Sequence, residues 1–322
     1  MDAAPWIFVD SVVELFSRKT LDRLARHVRH PLWEPVVDLH HRNRVYDKVF
    51  LRTTENDVRR LLLCRGDEGP KRPFNLQAFQ QNRRFARIVE INDFTRRAYV
   101  PPTPEEVESL TENETAKLLE TAASLVDQAS GYLCAGTFDG THLLLTSLFK
   151  RVYLRDISLY YCGRIAYDFL EDQINNSSFL KYVDILGYDW PQSLNGLIKK
   201  FCLKGKPGND VVASVESSDM NIDSNDIRNL FDLWRTNGNL HFELICFRGI
   251  ENKEAWQALM SKGQLKERCS TWRESFFKHD TEKSVAVLVD DSESVECVFY
   301  ECECDRFERC LLKVQYPEYH NF

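Results

Sequence analysis

PWIFVDSVVELFSRKTLDRLARHVRHPLWEPVV, residues 5–37, carries three amphipathic stripes in close succession. Val9, Val12, Val13 and Phe16 fall at i, i+3, i+4 and i+7, the spacing that lines one face of a helix. Past Ser17 and the basic pair Arg18 and Lys19, Thr20 is placed to cap a second helix in which Leu21, Leu24, Ala25 and Val28 repeat that spacing. Pro31 suits the first turn of a third helix, where Leu32, Trp33, Val36 and Val37 are apolar. Helices this short do not bury their own stripes. The apolar surface must be covered by the rest of the chain or by a partner.

Pro5, the Val12-Val13-x-Leu15-Phe16 run, the Leu21-x-x-Leu24 helix and Trp33, 28 positions after Pro5, together resemble an F-box. Ala4 stands where that motif has a leucine, and His27 and His30 make the approach to Trp33 unusually charged. The resemblance implies a three-helix module that binds the Skp adaptor of a cullin–RING ubiquitin ligase. Pro5, Val9, Val12, Val13, Phe16, Leu21, Leu24 and Trp33 are the residues it places at the adaptor interface. Some of them must instead pack the module on itself, and sequence does not divide the two sets. A Val12→Asp change is expected to abolish adaptor binding.

The rest of the chain reads as α/β. Val45, Val49 and Leu51 suit a strand or short helix, and Val58, Leu61 and Leu62 suit a helix. RGDEGPKRPF (65–74) is turn-forming. Phe85, Ile88, Val89 and Ile91 predict a strand, and a second linker opens at Tyr99. Thr103, Pro104 and Glu106 form a capping box, a device repeated by Thr111 and Glu114 before a helix striped with Leu118, Ala122 and Leu125.

From about residue 143 a rough repeat sets in. Strand-like runs at 153–161, 179–188, 210–217 and 239–247 are each followed by an amphipathic segment, RIAYDFLEDQI, PQSLNGLIKKF, SNDIRNLFDLW and NKEAWQALM. The first two runs superimpose at a 26-residue shift, Leu154, Ile157 and Leu159 on Leu180, Val183 and Ile185. One strand plus one helix at this period predicts an irregular leucine-rich-repeat-like stack, with an ordinary α/β layer as the structural alternative. SVAVLVD (284–290) and SVECVFYECEC (294–304) predict antiparallel strands that close the stack, with CLLKVQY (310–316) as a possible third. The expected divisions are 1–45 for the F-box-like module, 46–142 for a mixed helical spacer and 143–322 for the strand–helix domain. This order, with the phrases FLEDQ (169–173) and LGYDWP (186–191), resembles the nematode-type F-box-containing families. That resemblance implies a substrate receptor whose C-terminal half meets an unknown protein.

Composition narrows the alternatives. The 322 residues are 43% hydrophobic and 28% charged, as in ordinary globular proteins. Residues 1–100 hold 19 Lys+Arg against 13 Asp+Glu, leaving 23 against 36 for the remainder. The basic first part raises a second reading, an RNA- or RNP-associated scaffold. Its arginines come in scattered pairs (Arg59 and Arg60, Arg83 and Arg84, Arg96 and Arg97), which suits a solvated face better. No signal peptide or membrane span is legible, so the ten cysteines read as reduced thiols of a cytoplasmic or nuclear protein.

Enzymatic signatures fail in turn. With 13 scattered glycines there is no phosphate loop, and no G-x-S-x-G elbow is present. HHRNR (40–44) has Asn43 where a kinase catalytic loop needs an aspartate, and FDG (138–140) reads as a turn. His40 and His41 read as surface histidines, and SSDMNIDSND (217–226) as turn and helix-cap residues rather than a calcium loop. Cys297, Cys302, Cys304 and Cys310 come closest to a metal set. Cys302 and Cys304 stand at i, i+2 with Cys297 on the opposite strand face, so they read as buried or edge thiols. No catalytic residue, cofactor or metal is expected.

Overall fold

The computed structural model describes residues 5–54, 57–66, 72–93, 109–136, 139–217, 220, 222–247, 249–269 and 272–321. Among them the chain is α/β, with parallel and antiparallel strand pairs. It divides into two compact units, Met1–Ser158 with Cys162–Phe179, and Leu159–Tyr161 with Leu180–Phe322.

The first unit opens with helices α1 (Trp6–Glu14), α2 (Arg18–His27) and α3 (Trp33–Asn43). Val9, Val13, Leu21, Val36 and Val37 form their shared core. Ser17, not Thr20, caps α2: its hydroxyl accepts from the Thr20 amide at 3.2 Å. The third helix starts at Trp33, two residues beyond Pro31.

Strands β1 (Val45–Thr54), β2 (Asp57–Gly66) and β3 (Arg72–Pro73) follow, then α4 (Leu76–Gln81), β4 (Ala86–Asp93), α5 (Glu112–Ala122), β5 (Tyr132–Ala135) and α6 (Asp139–Leu148). Strand β1 runs antiparallel to β2 and parallel to β4, which runs parallel to β5. The helix expected over Val58–Leu62 is therefore a strand. Its apolar run lies opposite that of β1, with Leu62 across from Leu51 and Leu63 across from Phe50, so partner choice overrides local preference. The Thr111–Glu114 capping box forms at the start of α5, and Ala122 and Leu125 are buried as the stripe predicts, with Thr115 and Leu119 buried beside them and Leu118 only half-buried. Thr103, Pro104 and Glu106 lie outside the described residues.

Strand β6 (Asp156–Tyr160) and helix α7 (Arg164–Asn176) realise the first predicted strand–helix pair. FLEDQ has a packing role in α7: Phe169, Leu170 and Gln173 are fully buried. The Gln173 amide donates to Val152 O at 2.6 Å and accepts from Leu154 N at 3.0 Å. One side chain thus supplies both partners that the strand-entry backbone lacks.

The second unit continues the alternation with β7 (Tyr182–Gly187), α8 (Leu194–Cys202), β8 (Val211–Ser217), α9 (Ser224–Asn237), β9 (Phe242–Cys246) and α10 (Lys253–Met260). Strands β7, β8 and β9 pair in parallel and in chain order. All six residues matched by the 26-residue shift are buried. LGYDWP is a strand exit: Gly187 takes φ +88° against the Tyr160 ring, and the Trp190 indole donates back to Leu186 O at 2.9 Å. Asp223 caps α9, as its turn position suggested.

Strands β10 (Gln264–Cys269), β11 (Trp272–Lys278), β12 (Ser284–Asp290) and β13 (Val295–Glu301) form an antiparallel run that joins β9 through β13. Residues 310–316 are not a third tail strand. They contain helix α11 (Leu311–Gln315), because β13 already has β12 on one side and β9 on the other and offers no free edge. Both faces of this antiparallel run are covered, which explains the nearly continuous burial of SVAVLVD. Trp234 of α9 packs on Phe299 and donates to Ser284 Oγ on one face. On the other, Cys310, Leu312, Tyr316 and Tyr319 cover Phe276, Val285, Val287 and Val298.

Candidate functional site: the helical module of the first unit

Helix α1 is apolar around more of its circumference than one packing face requires, and its residues divide by destination. Val9 and Val13 point into the module core. Asp10 and Glu14 form a polar face that fastens the helix to the unit. Asp10 accepts from His40 Nε2 at 2.8 Å and from Arg84 at 2.7 Å, and Glu14 pairs with Arg87 at 3.0 Å. Trp6, Ile7, Phe8 and Leu15 remain exposed, Ile7 by 74% and Leu15 by 76%.

The expected interface set is thereby divided. Val9, Val13 and Leu21 are core; Phe16, Leu24 and Trp33 pack partly against it; Val12 is half-buried and Pro5 exposed. Ile7 and Leu15 lie off the stripe of Val9, Val12, Val13 and Phe16, which traces a single helical face. Their signal was present in WIFVDSVVELF, a helix with more apolar residues than a single face holds.

Two buried residues hold the module together, one of them, His40, expected from sequence to lie at the surface. His40 is fully buried, bonded to Asp10 and set edge-on to Phe85. Burial depresses its pKa, outweighing the hydrogen bond to Asp10 that raises it. Burial works against the Asp10 carboxylate too, but the bonds from His40 and Arg84 prevail and lower its pKa. His41 does lie near the surface and pairs with Asp22 at 3.1 Å. Arg44 is buried beneath the end of α1: its guanidinium donates to Val13 O and Glu14 O, both at 2.8 Å, and to Phe16 O. The last carbonyls of α1 thus receive a cation at the helix's negative end.

The basic surplus of the first unit divides, with three arginines turned inward and others, such as Arg23, Arg26, Arg29 and Arg83, exposed. Arg60 and Arg87 are buried with Arg44, and Arg60 pairs with Glu112, Arg72 with Asp47 and Arg84 with Asp10. A solvated face describes Arg83 and Arg84, which are exposed, but not Arg60, which is buried.

In the second unit, a shallow cleft of about 680 Å³ lies between α10 and the β12–β13 turn, with Trp256, Lys253, Arg273 and Asp290 among its walls. Cys297 is buried on the β13 face away from Cys302. Burial pushes its thiol and that of Cys246 well above the ordinary value, and that of Cys202 to about 12, so all three are inert. Cys302, Cys304 and Cys310 converge with His320 instead. No protein-family model, curated protein or solved structure matches the chain.

Proposed function

We propose that this chain is a protein-interaction receptor, the substrate-recognition subunit of an SCF-type cullin–RING ubiquitin ligase, and that the exposed apolar face of α1 docks the Skp adaptor. The observation that carries the reading is the exposure of Trp6, Ile7 and Phe8 on α1 and of Leu15 at its end, on a helix otherwise fastened by core and ion pairs. A large apolar group held rigidly at the surface suits a protein partner, since association recovers its burial without first ordering it. The leucine-rich-repeat-like succession of strands and helices would present the substrate-binding surface. Phosphate binding is the weaker alternative, because Arg60, Arg72, Arg84 and Arg87 are engaged in pairs within the unit.

Purified full chain should retain a recombinant Skp adaptor, and an Ile7→Asp/Leu15→Asp variant of unchanged circular dichroism should not. A folded full chain that leaves the adaptor unbound at micromolar concentration overturns the reading.

A further inference from the structure

Four potential metal ligands meet beside the antiparallel run of the second unit. Cys302 directly follows β13, Cys304 begins the next turn, Cys310 precedes α11 and His320 follows the 3-10 turn Pro317–Tyr319. Their donor atoms all lie within 4.8 Å of one another, and His320 Nε2 is 3.2 Å from the sulfurs of both Cys302 and Cys304. Around a tetrahedral ion about 2.3 Å from sulfur and about 2.0 Å from nitrogen, neighbouring sulfurs stand about 3.8 Å apart and sulfur–nitrogen pairs about 3.5 Å. The observed separations need only small side-chain adjustments to reach that geometry.

The backbone prepares the arrangement. Residues at i and i+2 of an extended segment share a face, which directs Cys302 and Cys304 to one side and Glu303 to the other. Glu303 is buried, and its carboxylate accepts from Gly208 N at 2.7 Å, anchoring the segment from behind. The chain then turns through Arg306 N to Glu303 O at 3.0 Å, and Cys310 returns so that its sulfur accepts from Glu303 N at 3.3 Å.

We propose that Cys302, Cys304, Cys310 and His320 hold one Zn²⁺ ion in a closed, structural centre. Three sulfurs and one imidazole are a borderline-soft set that suits zinc rather than calcium or magnesium, and four protein ligands leave no position for a reacting water. The ion's role is to fasten the cover of an apolar sheet face. Between Cys310 and His320 lie Leu312, Tyr316 and Tyr319, the residues laid over Phe276, Val285, Val287 and Val298. Their own regular structure is only the five-residue α11 and one 3-10 turn. A zinc ion bound at both ends of this segment would hold it down independently of the docking role of α1.

The test is zinc content of the full chain, expressed with added zinc and purified under reducing conditions, measured by plasma mass spectrometry. One zinc per chain is expected, with sulfur-rich coordination by X-ray absorption. Cys304→Ser and His320→Ala should each lose at least tenfold in zinc affinity, while Cys162→Ser retains the ion. Cys304 is exposed, so its replacement removes no core contact, and unchanged far-ultraviolet circular dichroism of Cys304→Ser confirms the fold. Chelation of the wild-type chain should speed tryptic cleavage at Arg309 and Lys313 at least fivefold. A folded, reduced, metal-free chain overturns the proposal. So does zinc that survives both ligand substitutions, or a disulfide among Cys302, Cys304 and Cys310 in the freshly purified protein.

Discussion

Replacing Ile7 and Leu15 together by alanine separates the docking face of α1 from its packing face. Fully burying an aliphatic side chain of this size contributes about 2 kcal/mol. Ile7 and Leu15 are 74% and 76% exposed, so a docked partner has about 1.5 kcal/mol to recover at each. Alanine keeps part of that area, leaving a loss of about 2 kcal/mol for the pair and roughly a 30-fold rise in Kd for the adaptor. Neither side chain supports the core, so stability should change by less than about 0.5 kcal/mol. Val13→Ala is the opposite case. Val13 is fully buried, and its truncation should cost about 2 kcal/mol of stability and leave adaptor affinity within about threefold wherever the module stays folded. Isothermal titration calorimetry and urea denaturation of the three proteins read both quantities. Wild-type affinity in the double alanine variant refutes the assignment of this face. Weakened binding in Val13→Ala without loss of stability refutes the division between core and surface.

Three further predictions concern the fold. Arg44→Met deprives three carbonyls at the end of α1 of a charged donor and should destabilise the first unit by about 2–4 kcal/mol; Arg44→Lys should not restore it, since a single ammonium cannot span the three acceptors. A denaturation midpoint within error of wild type for Arg44→Met contradicts that account. Because burial depresses the His40 pKa in the fold, the unfolded chain takes up its proton first as pH falls below about 6.5. Stability of the first unit should therefore fall between about pH 7 and 5, more steeply in wild type than in His40→Gln, and equal slopes in the two proteins would discard His40 as the source. Gln173→Ala leaves Val152 O and Leu154 N without their side-chain partner in a dry interior and should cost about 3 kcal/mol, measured by thermal melting; a neutral effect would mean the backbone finds other partners.

The helical module was legible in outline because three helices close in sequence generate strong local periodicity. Repeat strands β6 to β9 were legible for a related reason: each is a short apolar run bounded by turn residues and followed by an amphipathic helix. Where local signals competed with pairing, pairing won. Leu61–Cys64 became strand because β1 lay ready to receive it, and Leu311–Gln315 became helix because no edge of β13 remained. FLEDQ and LGYDWP stood out as phrases, but their packing roles emerge only when Gln173 meets the backbone at Val152 and Leu154, and Gly187 meets Tyr160.

Sequence by itself determined the α/β character, the three opening helices and the succession of strands and helices, all of which follow from the order of apolar and turn-forming residues within a dozen positions. Only tertiary structure decided destinations. It sent Val9 and Val13 inward while leaving Ile7 and Leu15 outside, buried His40 against Asp10, and turned Arg44, Arg60 and Arg87 toward carbonyls and carboxylates of the same unit. It also brought His320 to three cysteines that precede it by 10 to 18 positions. Periodicity specifies which side chains share a face. What that face meets depends on contacts between residues distant in the chain, and these form only when the whole unit folds.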